Sequence, residues 1–165
     1  MMPTRASRVQ LAVVLLLLVA LQFYVRPRLW SSRVSPDFMF IGLMLFAMRS
    51  SPGAAAVAGF LVGLATDALA PARFGAGMLA HTLVGYLASW GRSVFFAENP
   101  IVNAALVAVG LWVRDLLVLV LSGGGERSLL AELTLYSPLE ALTTALFALL
   151  VLVAFREWFS IRLDA

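Results

Sequence analysis

The chain has 165 residues, of which 62% are hydrophobic and 13% are charged. Soluble domains are about 45–50% apolar and about 25% charged, so this composition excludes an ordinary soluble domain and indicates a membrane protein. Cysteine is absent, which excludes disulfides and thiolate metal sites. The arginines that give the net charge of +3 stand singly between apolar segments, which is typical of helix ends in a membrane protein and not of nucleic-acid binding.

Six apolar segments follow one another along the chain and predict a compact six-helix transmembrane bundle, forming a single multi-pass domain over residues 1–165. The predicted helices cover about residues 9–25, 36–49, 53–70, 75–91, 101–122 and 137–155. The first resembles a signal peptide, but no small-x-small cleavage site follows it, and we interpret it as a retained helix. The second has an apolar core only from Phe38 to Met48, well short of the ~20 residues that cross a bilayer. We therefore expect it to be packed inside the bundle.

The third and fourth helices carry small or ionisable residues at every fourth position. These rows are Ala55, Gly59, Gly63 and Asp67 in the third helix, and Gly77, His81 and Gly85 in the fourth. Because a spacing of four keeps side chains on one helical face, each helix presents a flat strip that contains one ionisable group. We predict that Gly59, Gly63, Gly75, Gly77 and Gly85 form a helix-packing or partner interface, since G-x-x-x-G is a helix-packing motif.

The remaining connections also carry predictions. The segment 129–135 is apolar but short, and we interpret it as interfacial. Six helices place both termini on one side of the membrane. At or beyond the helix ends, that side has Arg5, Arg8, Arg49, Arg92, Arg156 and Arg162, against Arg26, Arg28, Arg33, Arg73 and Arg127 on the other. This small excess favours cytoplasmic termini.

Six ionisable side chains lie inside or at the edge of the predicted helices: Asp37, Asp67, His81, Arg114, Asp115 and Glu140. Successive helices run in opposite directions, so all six fall in the half of the membrane opposite the termini. We therefore predict one buried polar cluster. Ionisable groups inside a membrane are costly and are by default paired or functional.

The partners within this predicted cluster are open at the level of sequence. Asp67 is either a structural group or part of a binding site, and His81 is read as a satisfied core histidine. The Arg114 side chain either extends to the membrane–water interface or pairs with Asp67 or Glu140. We predict that Asp67 forms an ion pair with Arg114, and that His81 is the second choice of partner for Asp67. Asp115 is adjacent to Arg114, about 100° around the helix, so we do not expect these two to neutralise each other. Asp37 follows Pro36 and is read as a helix-start residue.

No nucleophile–histidine–acid pattern, phosphate-binding glycine loop or metal-ligand set occurs in the chain. An enzyme is therefore not expected, and we predict no cofactor and no metal.

Several of these features, in this order, resemble the bacterial rod shape-determining MreD family. They are Ser35-Pro36-Asp37, the run Gly59-Phe60-Leu61-Val62-Gly63-Leu64-Ala65-Thr66-Asp67, the pair Phe74-Gly75, and Val84-Gly85-Tyr86-Leu87. The resemblance covers about residues 35–90 in detail. It extends over the rest of the chain by length and hydropathy.

The resemblance implies a non-enzymatic subunit of the cell-elongation complex in the bacterial inner membrane. Its direct partner would be an MreC-like single-pass membrane protein, and its indirect partners MreB, RodA and a class B penicillin-binding protein. The resemblance also implies a fold similar to the substrate-binding subunits of energy-coupling-factor transporters. The alternative function is accordingly a small-molecule-binding subunit of such a transporter. A vitamin pocket would need more aromatic and hydrogen-bonding groups than these helices offer, so the sequence favours the first.

Overall fold

A computed structural model describes residues 5–29, 34–69, 74–91, 99–123 and 131–155. Within these ranges the chain is all-helical, which confirms the predicted class, and has six α-helices. They are α1 (Arg5–Tyr24), α2 (Phe38–Ala47), α3 (Pro52–Leu69), α4 (Ala76–Trp90), α5 (Pro100–Leu121) and α6 (Ser137–Ala154). The predicted turn at 70–73, the connector at 92–98 and the glycine-rich loop from 124 lie outside the described residues.

Four helical segments are long and apolar enough to cross a membrane. They are Val9–Arg28, Pro52–Leu69, Pro100–Leu121 and Glu132–Ala154. The helix α2 has 10 residues. At 1.5 Å per residue it rises about 15 Å, roughly half of the hydrocarbon thickness of a bilayer.

This short helix α2 is the centre of the bundle. It contacts all five other helices, and eight of its ten residues are buried. Phe38, Phe40 and Ile41 are among the largest fully buried side chains. Because protein covers α2 on every side, its backbone ends need not reach either membrane surface. The prediction of a short, internal second helix is confirmed.

The helices α3 and α4 pack with their backbones in contact. The buried residues of α3 are Ala55, Gly59, Gly63 and Asp67, the predicted row of four. A Cβ atom added at Gly63 would lie 2.5 Å from the Gly77 carbonyl oxygen, and one at Gly85 would lie 2.6 Å from the Ala55 carbonyl oxygen. A Cβ at Gly59 would collide with the carbonyl oxygen of His81. Only glycine permits this approach, and a side chain at these positions would separate the helices.

The last helix begins at Ser137, as predicted, but a further helical turn precedes it. A π-helical turn, Glu132–Tyr136, runs directly into α6, and the Ser137 N–H group bonds to the Glu132 carbonyl, five residues back. Pro138 explains the wide turn, because its ring clashes with the carbonyl four residues earlier and it has no N–H group. The prediction of a separate interfacial segment is therefore wrong from Glu132 onward, because these residues belong to the last membrane-competent segment, Glu132–Ala154.

A capped helix hairpin and a buried ion-pair cluster

Asp67 caps the start of α4. Its Oδ2 atom accepts hydrogen bonds from the Gly75 N–H (2.8 Å) and the Met78 N–H (3.0 Å), and its Oδ1 atom accepts one from the Gly77 N–H (3.1 Å). The first N–H groups of a helix have no partner within the helix and carry its positive dipole end. They stabilise a carboxylate that is only 5% exposed. Among the described residues, the buried charge is thus compensated by backbone N–H groups.

The predicted ion pair between Asp67 and Arg114 is wrong. Among the described residues, Arg114 pairs with Asp37 and Asp115 instead. Asp67 lies near the end of α3, and α4 follows it in the hairpin. The N-terminus of α4 is therefore close to the Asp67 carboxylate. A row of small residues that ends in an acid just before a helix start was the sequence signal for this cap.

Gly75 differs from its predicted packing role. A Cβ atom there would meet nothing within 4 Å, whereas its backbone φ is +101°, in the region that favours glycine. This conformation turns the Gly75 N–H towards Asp67. Gly77 does require close approach, because a Cβ there would collide with the Asp67 carboxylate.

We expect Asp67→Leu to lower the free energy of unfolding by about 1–3 kcal/mol, because buried N–H groups then lose their acceptor. Asp67→Asn should cost less, since an amide oxygen still accepts. The matched control is Ala68→Leu, which adds the same side chain at an exposed neighbour. Chemical denaturation in detergent micelles measures all three. Equal effects of Asp67→Leu and Ala68→Leu would contradict the capping role.

Arg114 lies at the centre of a second polar group. Its Nη1 atom is 3.3 Å from the Asp37 Oδ2 atom, and its guanidinium carbon lies 5.5 Å from the centre of the Phe40 ring. Its Nε atom is 2.8 Å from the Asp115 Oδ1 atom. This last contact is electrostatic, because the buried Nε makes no hydrogen bond of acceptable geometry with the described residues. The expectation that Arg114 and Asp115 do not neutralise each other is wrong, since the long arginine side chain reaches its neighbour.

Asp37 joins three helices at this point. Its Oδ1 atom accepts a hydrogen bond from the Phe40 N–H (3.0 Å), which makes it the N-cap of α2, and its own N–H donates to the Thr144 Oγ1 atom (3.1 Å) of α6. Its Oδ2 atom faces Arg114 of α5. The predicted helix-start role of Asp37 is confirmed.

Arg26, in the short 3-10 turn Arg26–Arg28 that follows α1, completes the group. Its Nη2 atom donates to the Glu140 Oε1 atom at 2.7 Å, and its Nη1 atom lies 4.0 Å from the Asp37 Oδ2 atom. The Ser137 hydroxyl donates to the Asp115 carboxylate. We name Arg26, Asp37, Arg114, Asp115 and Glu140 the ion-pair cluster. Sequence reasoning missed Arg26 because it was counted among the arginines of a connector.

His81 belongs to the hairpin rather than to the ion-pair cluster. Its Nδ1 atom lies 2.8 Å from the Gly77 carbonyl oxygen, so Nδ1 is the donor. Its ring packs edge-on against Phe40, with ring centres 6.1 Å apart. Its Nε2 atom is buried without a hydrogen-bond partner among the described residues. Phe40, which also faces Arg114, therefore stands between the two polar groups.

The carboxylates of both polar groups make contacts that join helices. Within the described part of the chain no group of three His, Cys, Asp or Glu side chains could hold a metal ion. The carboxylates of Asp37 and Asp67 are occupied by helix N–H groups and, for Asp37, by guanidinium groups. These buried charges fix where helices begin and which helices meet.

A comparison with protein families decides the identity. The family model of the rod shape-determining protein MreD matches residues 5–158. The chain belongs to the MreD family. The match includes all six helices, the hairpin and the ion-pair cluster, and it confirms the resemblance found in the sequence. Together with the four membrane-competent segments, it makes this MreD-family chain a multi-pass membrane protein that determines rod shape.

No curated protein and no solved structure matches the chain. The predicted similarity to the substrate-binding subunits of energy-coupling-factor transporters therefore stays a prediction.

Proposed function

We propose that this MreD-family protein is a non-enzymatic scaffold of the cell-elongation complex in the bacterial inner membrane. In this role it binds an MreC-like single-pass membrane protein. Through that partner it helps to regulate and localise lateral peptidoglycan synthesis, with MreB, RodA and a class B penicillin-binding protein as indirect partners. The match to the MreD family over residues 5–158 carries the proposal.

The use of the buried polar groups supports a scaffold. Asp37 and Asp67 each accept hydrogen bonds from backbone N–H groups at a helix start. Glycines on α3 and α4 bring two backbones into contact. These are devices that hold helices in fixed positions, as a rigid docking platform requires. In the part of the chain that the structure describes, no observation favours the alternative function of a small-molecule-binding transporter subunit.

We expect the tagged protein to co-purify with a co-expressed MreC-like partner in mild detergent. The partner's contact is direct in this proposal, so the two should elute together in size-exclusion chromatography. The control is an unrelated single-pass membrane protein with a helix of similar length. A partner that elutes apart from the protein, or a control that co-purifies equally well, would contradict the proposed function.

The proposed orientation places both termini in the cytoplasm and the ion-pair cluster in the extracytoplasmic half of the membrane. Reporter fusions at Met1 and Ala165 should score as cytoplasmic, and a fusion at Gly124 as extracytoplasmic. Reversed scores at all three would invert the orientation. Termini on opposite sides would mean that the number of membrane crossings is odd.

A further inference from the structure

We draw no further inference here: the strongest candidate, the buried Nε2 atom of His81 in the bundle interior beside Phe40, has no hydrogen-bond partner among the described residues, and nothing in that part of the chain shows what it binds.

Discussion

Gly59→Leu and Gly63→Leu should each lower the free energy of unfolding by about 3 kcal/mol, the upper end of the range for overpacked cores. The atoms that an added Cβ would meet belong to the backbone of α4, at His81 and Thr82 for Gly59 and at Gly77 and Met78 for Gly63. Backbone atoms cannot move aside by a change of rotamer, so the two helices must separate. Denaturation in detergent measures the stability, and the level of protein in the membrane measures the consequence in cells.

Phe60→Leu is the matched control for the glycine strip. Phe60 neighbours Gly59 but is 46% exposed on another face of α3, so the same new side chain should change stability by less than about 0.5 kcal/mol. If Gly59→Leu and Gly63→Leu are tolerated as well as Phe60→Leu, the two helices do not pack through this strip.

Asp37→Leu and Arg114→Leu should each cost about 3–5 kcal/mol, because each leaves the other charge buried without its partner. Asp37→Leu should be the more damaging of the two. It also removes the N-cap of α2, worth about 1 kcal/mol, from the helix at the centre of the bundle. Asp37→Asn removes the charge but keeps an acceptor for the Phe40 N–H. Comparing its free energy of unfolding with that of Asp37→Leu therefore separates the contribution of the cap from that of the charge.

The double variant Asp37→Leu/Arg114→Leu should recover part of the loss. Recovery is partial because Asp115 still lacks its contact with Arg114. We expect a coupling free energy on the order of 0.5–3 kcal/mol. The matched cycle pairs Asp67→Leu with Arg114→Leu and should be additive, since helix N–H groups compensate Asp67. Additivity in the first cycle, or strong coupling in the second, would contradict the pairing seen in the structure.

Features that depend on local spacing could be predicted from the sequence. The fourfold spacing of Gly59, Gly63 and Asp67 fixes one face of α3 whatever the rest of the chain does, and that face is the buried one. The apolar core after Pro36-Asp37 is too short to cross a bilayer, and this predicted that the second helix is buried inside the bundle. Pro36-Asp37 before an apolar run likewise indicated a helix cap, and Asp37 is one.

The partners of the buried charges were decided by the tertiary structure. Alternation of helix direction placed Asp67, Arg114 and Glu140 in the same half of the membrane, but that placement does not say how each helix is rotated or which helices are neighbours. An ion pair needs atoms within about 4 Å, so a modest rotation decides between Asp37 and Asp67 as the partner of Arg114. Sequence by itself determined a membrane-embedded helical bundle and its glycine-lined hairpin, because helical periodicity is a local property. Only the packed bundle determined that Arg26 meets Glu140 and that Asp67 meets the start of α4, because contacts between distant residues depend on the placement of every helix between them.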